Sequence, residues 1–332
     1  MLADLAGREV VAFDLFGDRD LRASRVVTRP GLCALVDAAV LEPRGRVVYG
    51  ASFENHPELV RRLGERHELL GNTPETLRAV RDPTRIAATL TDAGHPFPSL
   101  APERGLRKPL RGGGGTRVRD WHGGRLPPGT YAQERIDGLP CSVAAVGDGV
   151  RAAVLGVTEQ LIGERAFGVR GYRWCGNLSP PRLPVAERRA VLERARAICS
   201  CLAAAFALRG LFGVDFIWDG RRAWTHEVNP RPTASLELLG PGVFDAHLSG
   251  CAGVLPEVEP QREVAAAGKA VVFATEAVTV GRLDGVRDVP HPGERIDAGR
   301  PICTVVATAA TPQAVYAQLV EQAARLRVAV PA

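Results

Sequence analysis

The stretch GVDFI at residues 213–217, together with EVNPRP at residues 227–232, decides the fold predicted for this chain. Asp215 interrupts an apolar run, and a carboxylate in such surroundings is costly to bury without a cation. Glu227 and Asn229 are two residues apart, so on a strand their side chains share one face. Carboxylate and amide oxygens are the hard ligands that Mg²⁺ prefers. The two stretches therefore predict a metal site formed by Asp215, Glu227 and Asn229, with solvated polar residues at a hairpin end as the alternative.

The register of this hairpin decides whether the three ligands can meet. Asp215 stands opposite Glu227 only when the hairpin centres on Arg221, which requires an odd number of loop residues or a bulge. A two-residue turn at Asp219-Gly220 would instead place Asp215 on the other face of the sheet. We therefore expect a longer loop or a bulge. His226 precedes Glu227 on the same strand, so we expect it to point to the opposite face and to serve packing.

A glycine-rich stretch, RKPLRGGGG at residues 107–115, is the second chemical signal. Backbone N–H groups can turn toward an anion without obstruction in a run of four glycines, which are Gly112, Gly113, Gly114 and Gly115. Lys108 precedes them and is one of two lysines among 42 basic residues, the other being Lys269. A compact ammonium in an arginine-rich chain indicates a task that a guanidinium does not perform. The order of lysine and glycines excludes a P-loop, and a flexible surface loop is the alternative to a phosphate site.

Strand and helix patterns divide the chain into three parts. Residues 1–94 alternate short apolar strands with helices, which predicts a parallel sheet. The turn after the first strand carries Asp14 and Asp18, which argues against a dinucleotide site because a pyrophosphate needs a turn without negative charge. Residues 95–255 contain antiparallel strands and a long amphipathic helix, and residues 256–332 add strands and a closing helix. The predicted class is α/β, with an α+β centre.

Composition places the chain among ordinary globular proteins. Its 332 residues predict roughly two domains, and 45% of them are apolar and 24% charged. The net charge of +5 includes no block of like charges, so we expect no nucleic-acid partner. We find no signal-peptide pattern and no uncharged helical stretch long enough for a membrane span, and therefore expect a cytoplasmic protein. The seven cysteines include no C-x-x-C pair, which argues against a zinc site or disulfide framework.

The order of these motifs resembles the ATP-grasp superfamily over most of the chain. The resemblance is carried by Lys108-Pro109 with the glycine stretch, by YAQERIDG at residues 131–138, and by the two stretches at 213–217 and 227–232. It implies an ATP-grasp fold preceded by an N-terminal Rossmann-like pre-ATP-grasp domain. It also implies an enzyme that uses ATP and Mg²⁺ to activate a carboxylate.

The resemblance assigns the nucleotide-binding roles residue by residue. Lys108 would contact the nucleotide phosphates and act in catalysis. The glycines at 112–115 would form a flap over those phosphates. Backbone groups of a hinge would bind the adenine edge, and the hinge residues are Gln133, Glu134 and Ile136.

The same resemblance implies a metal centre and a catalytic arginine. One or two Mg²⁺ ions, for which Mn²⁺ can substitute, would be held by Asp215, Glu227 and Asn229. Arg231 would steady the acyl phosphate or the phosphoryl group in transfer.

Two positions depart from family patterns. Pro140 stands where many members carry an acidic residue after the hinge, which leaves the ribose contact unassigned. Gly213 replaces the arginine that amino-acid ligases such as D-alanine–D-alanine ligase often carry before the metal aspartate. The endings NPRP at 229–232 and GKA at 268–270 are closer to the carboxylase-like branch. More narrowly, the chain resembles predicted ATP-dependent carboligases encoded beside tetrahydromethanopterin-type one-carbon genes.

The predicted function is that of a carboxylate–amine ligase acting on a small-molecule carboxylate and an amine, in the biosynthesis of a one-carbon cofactor of the tetrahydromethanopterin or methanofuran type. A carboxylase that acts through carboxyphosphate and a non-catalytic ATP-binding subunit are the alternatives. A homodimer is compatible with each of them. The stretch WCGNLS at residues 174–179, with Arg170 and Arg173 before it, would line the acceptor site or form a surface turn.

Overall fold

The computed structural model of this chain describes residues 8–240, 242–257 and 265–329. The expectation that the chain lacks a signal peptide concerns its first residues, and residues 1–7 lie outside the described residues. Residues 258–264, near the start of the predicted C-terminal part, also lie outside them. Within the described ranges, no helix combines the length and the apolar character needed to cross a membrane.

The N-terminal part consists of short strands and helices. Its elements are β1 (Val11–Asp14), β2 (Arg25–Thr28), α1 (Leu32–Ala39), β3 (Arg46–Val47), α2 (Pro57–Arg66), β4 (Glu68–Leu69), α3 (Pro74–Val80) and α4 (Pro83–Asp92). The predicted alternation is present, and the pairs β1–β2 and β3–β4 are parallel. They form two separate two-stranded sheets, since strands this short offer few backbone groups for extending a sheet. The predicted Rossmann-like domain is therefore not confirmed.

The junction between α3 and α4 follows from helix-capping residues. Thr73 Oγ1 accepts a hydrogen bond from the Thr76 N–H at 3.3 Å, and the Asp82 carboxylate accepts one from the Thr84 N–H at 2.9 Å. A proline in the first turn of each helix suits the fixed backbone angle there. Arg81 is the C-terminal cap of α3 and directly precedes Asp82, the N-terminal cap of α4, so it lies at the junction of the two helices.

A small antiparallel sheet follows, made of β5 (Gly105–Pro109), β6 (Arg119–Trp121) and β7 (Thr130–Gln133), with β5 in the middle. Lys108 on β5 pairs with Tyr131 on β7, so the predicted phosphate lysine and the start of the predicted hinge lie on neighbouring strands. The glycine stretch connects β5 to β6.

The largest sheet contains most of the remaining strands. The later strands of the chain are β8 (Leu139–Asp148), β9 (Ala152–Ile162), β10 (Trp174–Ser179), β11 (Arg209–Trp218), β12 (Ala223–Asn229), β13 (Ala266–Phe273), β14 (Val278–Thr279), β15 (Arg295–Ile296) and β16 (Pro301–Ala309). Seven of them form the sheet in the order β12-β11-β8-β9-β10-β13-β16, and every neighbouring pair is antiparallel. β14 and β15 pair separately. β8 and β9 form an antiparallel hairpin, in agreement with the antiparallel strands predicted for this part.

The helix α5 (Val185–Phe206) determines which face of this sheet is free for a site. Its apolar stripe, represented by Ile198 and Leu202, is fully buried in one core with Val214 and Phe216 of β11. Because neighbouring residues of a strand point to opposite faces, Asp215 lies on the face away from α5. The helices α6 (Val243–Cys251) and α7 (Pro312–Ala329) complete the fold.

The stretch at residues 174–179 is the strand β10 in the interior of the sheet, between β9 and β13. Five of its six residues are buried, so the surface-turn interpretation is wrong. The sequence gives a weak strand signal here because glycine and asparagine are uncommon in strands. A 3-10 helix, Ala234–Leu238, follows the hairpin of β11 and β12.

Candidate active site

The hairpin of β11 and β12 brings the predicted metal ligands to one face by means of a bulge. Trp218 pairs with Ala223 and Asp215 pairs with Glu227, and the register shifts between them. The connecting loop has an even number of residues, so the extra residue lies in β12. It is His226, because Asp215 pairs with Glu227 and Phe216 pairs with Thr225. Of the two predicted solutions, the bulge is therefore the one that the chain uses.

Two carboxylates and one amide meet at this point. The Asn229 amide Nδ2 donates a hydrogen bond to Asp215 Oδ2 at 3.0 Å. Burial, and then the negative charge of Glu227, raise the pKa of Asp215. Both effects disfavour the ionised form of Asp215, and a bound cation would favour it. The described residues include no group of three histidine, cysteine or acidic side chains arranged for a metal. Two carboxylates with an amide oxygen nevertheless fit Mg²⁺, which takes few protein ligands and completes its shell with water and phosphate.

Lys108 lies between these ligands and the predicted hinge. Its buried ammonium donates to Gln133 Oε1 and to the His226 carbonyl, both at 3.1 Å, and approaches His226 Nδ1 at 3.4 Å. Burial lowers the pKa of Lys108. The same ammonium and the burial of the ring lower the pKa of His226 to about 3, so its imidazole is neutral at pH 7. The expectation that His226 serves packing on the opposite face is wrong, because the bulge turns this residue toward Lys108.

The glycine stretch lies over the same space. Gly114 and Gly115 have φ angles of +60° and +68°, which side chains rarely adopt. A Cβ at Gly115 would lie 1.8 Å from the Tyr172 carbonyl oxygen, so this position tolerates no side chain in the present arrangement. The Trp174 N–H donates to the Gly114 carbonyl at 3.1 Å, which attaches the loop to the start of β10. Gly112 and Gly113 complete the loop and line the cleft.

The predicted hinge residues border the cleft at its other end. Glu134 is held by Ser99, whose N–H and Oγ donate to its carboxylate at 3.1 and 2.9 Å. Gln133 accepts from Lys108, while its Nε2 is buried without a hydrogen-bond partner among the described residues. An unpaired buried donor is costly unless a ligand completes it. Ile136 also lines the cleft.

All of these groups line one cleft of about 670 Å³ between the small and the large sheet. Residues 80–235, which contain every predicted site residue, match the family model of the ATP-grasp domain. This part of the chain is an ATP-grasp domain. The whole chain has the ATP-grasp fold, since solved structures of that fold superpose on nearly all of it.

Two solved structures illustrate the likeness of the whole fold. The biotin carboxylase domain of 2-oxoglutarate carboxylase from Hydrogenobacter thermophilus, solved with MgADP, ADP and bicarbonate, superposes with a TM-score of 0.72 at 15% identity. That likeness covers 99% of this chain and 86% of the other. N5-carboxyaminoimidazole ribonucleotide synthetase from Thermotoga maritima superposes with a TM-score of 0.65 at 14% identity, over 99% of this chain and 93% of the other.

One curated relative is similar in sequence over a shorter segment. The formate-dependent phosphoribosylglycinamide formyltransferase of Geobacter metallireducens is 32% identical over 116 residues, which is 32% of this chain. The match spans 29% of that relative's length, so the likeness concerns a segment and not the whole enzyme.

The ATP-grasp cleft also contains charged residues that sequence reasoning missed. Arg81 Nη1 donates to Glu227 Oε1 at 2.6 Å, and Arg81 Nη2 donates to the Gly112 carbonyl at 3.0 Å. Burial alone would raise the pKa of Glu227, but the charges of Arg81 and Lys108 outweigh it and lower that pKa. Arg81 thus connects the metal hairpin to the glycine stretch. In the sequence, Arg81 is distinguished only by its position next to Asp82, the N-terminal cap of α4.

The predicted catalytic arginine of the ATP-grasp cleft is held by a second missed residue. Arg231 Nη2 donates to Glu54 Oε1 at 2.8 Å, and the Glu54 side chain is 1% exposed. Arg231 Nη2 also donates to Asn229 Oδ1 at 3.2 Å, which places it beside the predicted metal ligands. Glu54 Oε2 and Arg231 Nε are buried and have no hydrogen-bond partner among the described residues.

Proposed function

We propose that this chain is an Mg²⁺-dependent ligase that transfers the γ-phosphoryl group of ATP to a carboxylate, which gives an acyl phosphate and ADP. An amine then attacks the acyl carbon and displaces phosphate, which gives an amide. The observation that carries the proposal is the meeting, in one cleft, of the Asp215–Glu227–Asn229 cluster with a buried lysine and a glycine loop. These are the parts that phosphoryl transfer needs, since its catalysis consists mostly of positioning and charge stabilisation.

Each group has a role that its position supports. Asp215, Glu227 and Asn229 would hold Mg²⁺, which supplies charge neutralisation of the phosphate oxygens when it is bound. Lys108 places its ammonium beside the cluster, where it donates to Gln133 Oε1 and to the His226 carbonyl.

The glycine loop and the hinge would enclose the nucleotide from two sides. Gly113, Gly114 and Gly115 present backbone N–H groups without side chains, which suits phosphate oxygens. The Gly112 N–H donates to Asn55 Oδ1, so Gly112 would help to position the loop. The buried Nε2 of Gln133 and the backbone groups of Glu134 and Ile136 would bind the adenine edge. Arg231, held by Glu54, would stabilise the negative charge that develops on the acyl phosphate or transferring phosphoryl group.

The relatives support a carboxylate as the group that is activated. The Geobacter relative is named for its dependence on formate, and the Hydrogenobacter domain was solved with bicarbonate and MgADP. The second of these favours a specific alternative, in which bicarbonate itself is activated and the product is a carboxylated acceptor. A role in tetrahydromethanopterin- or methanofuran-type cofactor biosynthesis and a homodimeric state are proposals that rest on resemblance.

ADP release by the full chain tests the proposal. With MgCl₂ and a panel of carboxylates offered with and without amines, we expect ADP release that requires Mg²⁺ and a carboxylate, and we expect an amide as the product. Bicarbonate dependence without an added amine would identify the carboxylase alternative. Absence of ADP release with every pair would favour the non-catalytic nucleotide-binding subunit.

The Glu227→Gln variant tests the assignment of the metal ligands in the same assay. Loss of one charge-stabilising group costs roughly 10²–10³ in rate, so we expect ADP release to fall by about that factor while the far-ultraviolet circular dichroism is unchanged. Glu193→Gln is the matched control, because Glu193 is exposed on α5. Unchanged turnover in Glu227→Gln would contradict the assignment.

A further inference from the structure

A second cavity of about 380 Å³ lies at the outer edge of the large sheet, around β13, β16 and α7. Lys269 of β13 projects toward it, and this lysine is one of the two that the arginine-rich chain contains. None of the roles proposed for the ATP-grasp cleft involves this cavity.

Lys269 is buried and has unused hydrogen-bonding capacity. Its side chain is 5% exposed, and its Nζ donates to Glu237 Oε2 at 2.8 Å. Among the described residues, Glu237 is the one polar partner recorded for this ammonium. An ammonium carries three N–H donors, so two remain for a ligand. Glu237 itself is 39% exposed, which leaves it in contact with water.

The cavity adjoins the ATP-grasp cleft without being part of it. Lys269 pairs across the sheet with Asn177 of β10, and Asn177 lines the cleft. The short 3-10 helix Ala234–Leu238 separates the two spaces, because Ser235 borders the cleft and Glu237 borders the cavity. Asp215 and Lys269 are four strands apart, a separation of about 19 Å at about 4.8 Å per strand.

The charges around the cavity define the ligand that it fits. Lys269 and Arg287 contribute two positive charges and Glu237 one negative charge, so one positive charge is unbalanced. Arg287 is exposed and forms no ion pair within the described residues, and a guanidinium binds a carboxylate through two parallel hydrogen bonds. A dianionic phosphate would leave negative charge in excess beside Glu237.

We propose that this cavity, which we term the Lys269 pocket, binds the carboxylate group of a small organic ligand through Lys269 and Arg287. The carboxylate belongs either to the distal end of an extended acceptor that enters the ATP-grasp cleft or to a free effector molecule. The acceptor alternative rests on the function proposed for the cleft. Carboxylate binding itself does not, so it can be tested without any reaction.

Saturation-transfer-difference NMR on the full chain tests the pocket directly, with acetate, succinate and L-glutamate as the observed probes. Inorganic phosphate has no carbon-bound proton to observe, so its affinity is measured by competition with these probes. We expect saturable binding of at least one carboxylate, tighter than that of phosphate. Arg287→Gln and Lys269→Met should each raise its dissociation constant at least about tenfold, since each removes a charged hydrogen-bond donor. Arg282→Gln is the matched control, because Arg282 is an exposed arginine outside the pocket, and it should leave the constant unchanged.

The outcomes separate the proposal from its rivals. Absence of saturable carboxylate binding, tighter binding of phosphate, or equal affinities in the wild type and Arg287→Gln would each overturn it. Arg287 is exposed, so its variant remains informative even if Lys269→Met fails to fold. Once a pair of amide-forming substrates is found, competition between the carboxylate probe and the acceptor would show that the pocket binds the distal end of the acceptor. A change in turnover without such competition supports the effector form.

Discussion

At the scale of single residues, the cleft depends on how buried charges are balanced. The sequence identifies Lys108 because lysine is rare in this chain, and it identifies Asp215 because a carboxylate interrupts an apolar run. It does not single out Arg81, since one arginine among so many gives no signal until the fold brings it to Glu227. The sequence does not identify Glu54 either, because its partner Arg231 is 177 residues away in the chain.

The Arg81→Met variant tests this balance of charge. It removes one of the two cations, Arg81 and Lys108, whose charges balance the partly buried Glu227. Breaking a buried ion pair costs about 3–5 kcal/mol. Because the Glu227 side chain is 26% exposed, we expect a smaller loss, about 2–3 kcal/mol in the free energy of unfolding, measured by urea denaturation. Arg85→Met is the control, since Arg85 is exposed on the neighbouring turn of α4. Equal stability of the two variants would show that the ion pair contributes little.

At the scale of elements, strands with long apolar runs are predictable and irregular backbone is not. The pairing of β11 with β12 can be predicted from the sequence. An odd-numbered loop and a bulge would both place Asp215 opposite Glu227, and the sequence does not distinguish between them. The choice has a chemical consequence, because the bulge turns His226 toward Lys108. β10 is missed since its residues have low strand propensity, and its neighbours β9 and β13 impose the conformation.

The glycine loop offers a matched pair of substitutions at this scale. Gly115→Ala places a Cβ against the Tyr172 carbonyl at a positive φ, whereas Gly113→Ala meets open space. We expect Gly115→Ala to displace the loop from β10 and to raise the KM for ATP at least about tenfold, because misplaced phosphate donors lose binding energy. Gly113→Ala should leave the KM within about twofold of wild type. Similar values for both variants would mean that the loop does not cover the nucleotide.

The β11–β12 loop gives a pH-dependent prediction. Burial alone would raise the pKa of Asp219, but hydrogen bonds from Trp224 and from the Arg222 and Arg221 amides lower it to about 2. A carboxyl group whose pKa is lowered by folding stabilises the folded state fully at pH values above its ordinary pKa of 3.8. That stabilisation is lost as the pH falls through 2. Asp219→Ala should therefore lower the Tm at pH 7, by an amount equivalent to about 1 kcal/mol, and the difference should shrink toward pH 2.

The control for this prediction is Asp92→Ala, because Asp92 is exposed at the end of α4 and its loss should leave the Tm unchanged at both pH values. A Tm difference for Asp219→Ala that persists at pH 2 would indicate a purely packing effect of the truncated side chain.

At the scale of the whole molecule, the N-terminal part completes the ATP-grasp cleft. Glu54 holds Arg231, Asn55 Oδ1 accepts from the Gly112 N–H at 3.0 Å, and Asn72 Nδ2 donates to the Pro230 carbonyl at 3.0 Å. The sequence predicts the order of strands and helices in this part but not these contacts, which join segments far apart in the chain. It also predicts one parallel sheet where the chain forms two separate parallel pairs.

The most direct test of the account is calorimetric titration of the full chain with a non-hydrolysable ATP analogue, with and without Mg²⁺, for the wild type and for Lys108→Met. If Asp215, Glu227 and Asn229 hold Mg²⁺ beside the phosphates that Lys108 contacts, Mg²⁺ should strengthen binding at least about tenfold, and the lysine substitution should weaken it by a similar factor. An affinity that changes with neither Mg²⁺ nor the loss of Lys108, or no binding at all, would contradict the assignment of this cleft as an Mg²⁺·ATP site.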